Sequence, residues 1–213
     1  MGTFKHIIWD WNGTLWNDTS LCTEINNHML ERRNLPRIDV ALYRDKLCFP
    51  VDQYYCQLGF DYATDPYPVL AEEFIAEYTA RRYECPLHEG ARELIAELRA
   101  KAIPQAVLSA YEQGALLHSV DYFKLTPFFD DVIGLNDIYA AGKVENGLKY
   151  MDGLVLDPAE VLFIGDTLHD FEVAEAMGVH CALVACGHNS RPRLEACGAP
   201  VFDSLADVGE YIL

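Results

Sequence analysis

Four sites in this chain, the last holding two aspartates, carry residue types whose order and surroundings suit chemistry. Asp10 ends the apolar run Phe4-Lys5-His6-Ile7-Ile8-Trp9 and precedes a turn marked by Asn12-Gly13, then Thr14-Leu15. Ser109 ends Gln105-Ala106-Val107-Leu108, and Lys143 lies in Ala140-Ala141-Gly142-Lys143-Val144. Asp166 and Asp170 follow Val161-Leu162-Phe163-Ile164-Gly165. Three carboxylates brought together repel one another and raise each other's pKa unless a cation lies between them. Oxygen-only ligands of this kind suit a hard ion, and Mg²⁺ takes a few carboxylates together with water and phosphate oxygens. A lysine and a hydroxyl are suited to hold those phosphate oxygens. Singly, each residue also has a plain structural reading. Asp10 can form a turn, Asp166 and Ser109 can cap helices, Asp170 can face solvent in a first helical turn, and Lys143 can be a surface lysine. Order and context together point to a site.

The elements that position them follow from hydrophobic periodicity. The runs ending at Asp10, Ser109 and Gly165 read as buried strands, with a weaker strand at 131–134 and short strands at 180–184 and 200–202. Amphipathic patterns over 89–101, 112–123, 144–151 and 171–177 alternate with them. Strands alternating with helices predict a doubly wound α/β fold, a parallel sheet with right-handed crossovers and helices on both faces. Three of the four positions follow strands, and such a sheet gathers them along one edge. Residues 17–84 carry helical patterns only: 21–34, 39–47, 51–58 and 65–82, with Cys48-Phe49-Pro50 as a break. The expected organisation is a core of residues 1–16 and 85–213 and an inserted all-α cap of residues 17–84.

The composition excludes several classes. At 213 residues with 51% apolar side chains, the chain can bury a full core. It carries 33 acidic and 16 basic residues, a formal charge of −17, the wrong sign for a nucleic-acid binder. Arg32-Arg33, Arg81-Arg82 and Arg191-Pro192-Arg193 are pairs rather than a basic patch, and read as solvated charges. An anionic substrate then needs local compensation, which a divalent cation and a lysine supply. No apolar run approaches the roughly 20 residues that cross a bilayer, and the first residues lack a signal pattern, so a cytoplasmic location without membrane attachment is expected. Seven cysteines without a Cys-x-x-Cys pair read as reduced, mostly buried thiols.

The stretch Asp10-Trp11-Asn12-Gly13-Thr14-Leu15 resembles the nucleophile motif of the haloacid dehalogenase-like hydrolases, most of which are Mg²⁺-dependent phosphatases. Ser109, Lys143 and Gly165-Asp166 with Asp170 resemble the family's second, third and fourth motifs. Pro86-Leu87-His88-Glu89-Gly90-Ala91 is similar to the re-entry into the core of the phosphoglycolate phosphatase-like branch. That resemblance covers nearly the whole chain. It implies that Asp10 attacks a small phosphorylated metabolite and forms an aspartyl-phosphate. It also implies a Mg²⁺ site of Asp10, the Asn12 carbonyl, Asp166 and Asp170, and phosphate binding by Gly13, Thr14, Ser109, Ala110 and Lys143. Cap residues Asp18, Cys48, Phe49 and Tyr54 are expected to face the substrate.

Asn12 departs from the family pattern, which places a second aspartate there to protonate the leaving alkoxide and then activate water. An amide cannot exchange that proton, and general acid–base catalysis is worth about 10²–10⁴ in rate. The alternatives are slow turnover, a leaving group that needs no proton, replacement by His169 or His188, or a silent phosphate-ester binder. Haloacid dehalogenases, which need no metal, fit poorly with paired Asp166 and Asp170. Phosphonoacetaldehyde hydrolases share the Asp-Trp-x-Gly-Thr opening and need a cap lysine, for which Lys46 is the one candidate.

Overall fold

The computed structural model describes residues 4–138 and 143–213. Its centre is β1 (His6–Trp9), buried along its whole length. β1 pairs in parallel with β2 (Gln105–Glu112) on one side and β4 (Val161–Gly165) on the other. β3 (Asp131–Leu135), β5 (His180–Val184) and β6 (Val201–Phe202) complete a six-stranded sheet of order β3-β2-β1-β4-β5-β6. The central strands read as continuous apolar runs because helices cover both faces of a parallel sheet, whereas the edge strands β3 and β6 are only partly buried. A buried polar residue ties the centre together. Gln105 accepts from the Trp9 indole at 3.0 Å and donates to the Ile95 carbonyl at 3.0 Å, so no amide atom is left without a partner.

The covering helices include α5 (Ala91–Ala100), α6 (Gln113–Tyr122), α7 (Lys143–Gly153), α8 (Leu168–Met177), α9 (Arg191–Glu195) and α10 (Leu205–Ile212). As the pattern predicts, α5 buries Leu94, Ile95 and Leu98. Between β1 and α5 lie α1 (Thr19–Glu31), α2 (Val40–Lys46), α3 (Val51–Leu58) and α4 (Tyr67–Arg81), with no strand among these described residues. The chain leaves the sheet at Trp16 and returns beside it at Leu87, where the two segments form an antiparallel bridge. The Trp16 indole donates to the Cys85 carbonyl and Asn17 N–H to that of Pro86, closing the crossing.

Three expectations change. β2 runs three residues past Ser109, through a register shift, until Glu112 pairs with Leu135. The apolar pattern stops at Ser109 because the next residues line a cavity, not because the strand ends. All seven cysteines are free, but only Cys22 and Cys85 are buried. The arginine pairs are also less solvated than their composition suggests. Arg33 is held by Glu73 and Asp65, and Arg193 donates to the carbonyls of Arg44 and Leu47 at the end of α2. Among the described residues no helix is long and apolar enough to cross a membrane.

Candidate active site

The sheet delivers the carboxylates as strand ends. Asp10 follows β1 and its N–H donates to the Ile164 carbonyl at 2.8 Å, so the ladder with β4 fixes its backbone. Asp166 follows β4. Thr167 is the N-cap of α8, in a capping box whose third residue is Asp170. Asp170 Oδ2 accepts from the N–H groups of Asp166 at 3.0 Å and Thr167 at 2.9 Å, and from the Thr167 hydroxyl at 2.7 Å. The plain readings of these two aspartates therefore do not hold. Thr167 caps the helix, and Asp170 is buried.

Lys143 opens α7, and its side chain is buried rather than solvated. Its ammonium lies 2.5 Å from Asp10 Oδ1 and 2.5 Å from Asp170 Oδ1. The loop expected to carry it, residues 140–142, lies outside the described residues. Burial alone would lower the Lys143 pKa, but Asp10 and Asp170 hold it above its ordinary value. Asp10 moves the other way from a usual surface carboxylate. Burial raises it well above the normal range, and Asp170 and Asp166 add to that against the pull of Lys143. Asp166 is pushed up to about 6, first by burial and then by Asp170, with His188 opposing.

Carboxylate oxygens of Asp10, Asp166 and Asp170 lie within 4.8 Å of one another, all buried. Three carboxylates facing one ammonium leave an excess of negative charge in a dry site, and a cation is what that donor set fits. Glycines give the cluster room. Gly13 has φ +78°, and a Cβ there would sit 2.3 Å from Asp166 Oδ2 and 2.4 Å from the His188 ring. A Cβ on Gly187 would meet the same Asp166 oxygen at 2.1 Å.

The family model described as haloacid dehalogenase-like hydrolase matches residues 7–184. The chain belongs to this family. Among relatives of this haloacid dehalogenase-like hydrolase, a protein named phosphoglycolate phosphatase from Rhodospirillum rubrum is 24% identical, over 98% of this chain and 90% of the relative. One named N-acetylmuramic acid 6-phosphate phosphatase from Pseudomonas putida is 27% identical, over 86% of this chain and 84% of its own length. A haloacid dehalogenase-like family hydrolase from Streptococcus pneumoniae superposes with a TM-score of 0.82 at 19% identity, covering 100% of both chains.

A second buried group adjoins the first. Asp18, at the start of α1, makes no capping hydrogen bond with its side chain. Its Oδ2 instead accepts from the Asn12 amide at 2.7 Å and the Tyr78 hydroxyl at 2.6 Å, and its Oδ1 from Gly13 N–H at 3.0 Å. His188 Nε2 lies 3.1 Å from the same Oδ1, and its Nδ1 is 3.0 Å from the Tyr43 hydroxyl. Burial works against charge here too. Yet His188, Tyr78 and Asn12 hold Asp18 below the usual carboxylate range, and Asp18 with Asp166 and Asp10 lifts His188 to about 9. Cys22 completes a trio with metal-like spacing alongside Asp18 and His188. Burial raises its thiol pKa strongly, and the histidine already neutralises the aspartate.

Asn12 has a defined place in this group. Its Nδ2 donates to Asp18 Oδ2 and, at 2.8 Å, to the Tyr78 hydroxyl. An aspartate there would set a carboxylate against the Asp18 carboxylate.

A cavity of about 560 Å³ joins both groups. Of the expected site residues, Asp10, Asn12, Asp18, Phe49, Tyr54, Ser109, Ala110, Lys143 and Asp170 line it. Four others do not. Thr14 is fully buried, and its hydroxyl donates to Asp166 Oδ1 at 2.7 Å, so it positions that aspartate. Gly13 is committed to Asp18, Asp166 lies beneath the surface, and Cys48 Sγ accepts from Gln57 outside the cavity. His169 lines the cavity and stacks on Phe49, with ring centroids 4.9 Å apart, rather than facing solvent. Lys46 is absent from the lining. Tyr43 and Tyr78 belong to no motif in the sequence. Helical spacing marks them only as candidates for core positions, and their hydroxyl partners are remote in sequence.

Proposed function

We propose that this hydrolase is a Mg²⁺-dependent phosphatase of small phosphomonoesters that works through an aspartyl-phosphate on Asp10. The observation carrying this reading is the Lys143 ammonium, 2.5 Å from both Asp10 and Asp170, in a buried three-carboxylate cluster at the sheet edge. The names of the Rhodospirillum rubrum and Pseudomonas putida relatives support it. Residues 17–84 would act as the cap over the core, excluding water during the first step.

In the first step an Asp10 carboxylate oxygen bonds to phosphorus, and the bond from phosphorus to the substrate oxygen breaks, its electron pair leaving with that oxygen. Water then attacks the same phosphorus, orthophosphate departs, and the Asp10 carboxylate is restored. Lys143 pulls Asp10 towards its ionised form against burial and fixes its place, and with the Ser109 hydroxyl and the Ala110 backbone it receives phosphate oxygens. Mg²⁺, held by Asp10, the Asn12 carbonyl and Asp166, would supply charge neutralisation, which dominates phosphoryl transfer. Asp170, with one oxygen on Lys143 and the other on the α8 N-terminus, fits a supporting role behind the ion. A Lys46 Schiff base finds no support, because that lysine does not line the cavity.

Asn12 favours a second reading, a silent or slow phosphate-ester binder, since its amide has no proton to exchange and is anchored by Asp18 and Tyr78. Phosphate release from a panel of small esters with and without Mg²⁺ distinguishes the two. The phosphatase reading expects metal-dependent release that Asp10→Asn abolishes. Binding by calorimetry with no release from any ester would establish the silent reading instead.

A further inference from the structure

Resting on the phosphatase reading, we infer that the preferred substrates are aryl phosphates, monoesters of phenol-type alcohols, rather than small aliphatic phosphates. Two independent observations converge on this. The first is the cavity beyond Asp10. Its volume of about 560 Å³ lies in the range of sites that enclose whole organic ligands, about 300–1,000 Å³. A two-carbon phosphate would leave most of it empty. The lining is aromatic: eight phenylalanine and tyrosine rings, among them Phe49, Tyr54, Tyr55 and Phe74. Ring faces and edges of this kind favour an aromatic guest.

Apart from Lys143, the one lysine or arginine among the described lining residues is Arg82. Its guanidinium donates to the Tyr111 hydroxyl at 2.9 Å and lies over the Tyr83 ring at 5.0 Å. It is a poor match for a small carboxylate in need of a free cation. Tyr54 is 1% exposed, and its hydroxyl has no hydrogen-bond partner. Such an orphan in an apolar wall suits a single polar substituent on a bound ring.

The second observation is Asn12. An alkoxide leaving group has a conjugate acid of pKa near that of water, about 16, and needs a proton as it departs. A phenolate leaves at about 10 and can depart as the anion. The first step then balances without an acid. The Asp10 oxygen bonds to phosphorus, the aryl C–O bond is untouched, and the phosphorus–oxygen electron pair stays on the phenolate, which takes its proton from water after release. An amide at position 12, held by Asp18 and Tyr78, costs such a substrate little.

The test is kcat/KM, which reads the steps through phosphorylation of Asp10, for the native protein with Mg²⁺. The substrates are phenyl phosphate, ring-substituted phenyl phosphates, phosphoglycolate and cyclohexyl phosphate. The last matches the ring in size but releases an alkoxide. Phenyl phosphate should exceed phosphoglycolate and cyclohexyl phosphate by at least about 100-fold, the lower range of a missing acid. Cyclohexyl phosphate should still compete with phenyl phosphate for the site. In Asn12→Asp the gap between phenyl and cyclohexyl phosphate should narrow. Phosphoglycolate turned over as efficiently as phenyl phosphate would overturn the inference and leave the phosphatase reading standing. So would equal cleavage of cyclohexyl and phenyl phosphate by the native chain. No metal-dependent release from any ester, by the native chain or by Asn12→Asp, removes the phosphatase reading itself.

Discussion

Two buried groups of acidic side chains adjoin each other in this hydrolase and are solved in opposite ways. In the Asp10–Asp166–Asp170 cluster three carboxylates share one ammonium, and burial and mutual repulsion raise Asp10 and Asp166. In the Asp18 group one carboxylate meets a histidine, a tyrosine hydroxyl, an amide and a backbone N–H, and falls below its ordinary range. The first is left incomplete by its own residues and the second is complete. On the proposed function, incompleteness marks the place for a cation and an anionic substrate. Completeness marks a frame that fixes Asn12 and Gly13 beside it. One residue type, equally buried, would thus serve binding in one place while serving architecture in the group beside it.

That contrast can be broken by substitution, with the largest effect at the incomplete group. Asp10→Asn should reduce phosphate release by at least about 10³-fold, since losing a nucleophile removes the covalent route altogether. Its melting temperature should stay near native, because the change relieves repulsion. Asp18→Ala should do the reverse in kind. Removing one partner of a buried pair strands His188 and Tyr78 and costs about 3–5 kcal/mol. For a chain of this size that lowers the melting temperature by on the order of 10 °C, readable by calorimetry. Metal response sharpens the same division. Mg²⁺ at about 100 times its dissociation constant should stabilise the native chain by about 2.7 kcal/mol. That gain should vanish in Asp166→Asn and survive in Asp18→Asn. The smallest effect is expected for Thr167→Ala, which removes the cap that holds Asp170. It should cost about 1 kcal/mol of stability, with a modest loss of activity through the loosened Asp170–Lys143 contact.

Much of the incomplete group is legible in the sequence because each piece is local. Asp10 and Asp166 follow apolar runs whose strand character is unmistakable, and β5 spans the predicted residues 180–184. The complete group is largely hidden. An aspartate just before a helix, as Asp18 is, usually caps it, and local pattern offers nothing more. What diverts it is a histidine near the other end of the chain and a tyrosine from α4, contacts that no local pattern encodes. Lys143 shows the same limit. Its motif position is readable, but its burial depends on two carboxylates from other strands. The Thr14 hydroxyl holds Asp166, a contact hidden from the sequence because a turn motif does not say which way its hydroxyl points. Arg193 looks like a loop charge in the sequence, yet it holds the end of α2 by two carbonyls.

On the proposed mechanism, Asp10 takes the phosphoryl group while Asn12 leaves the following water attack without a base. A rapid-mixing experiment with phenyl phosphate and Mg²⁺ tests it most directly, following phenol release and quenching for peptide mass mapping. The expected result is a burst of phenol stoichiometric with protein, a slower steady rate, and a phosphoryl group mapped to Asp10. Steady release with no burst and no modified Asp10, or a phosphoryl group on another residue, would contradict it.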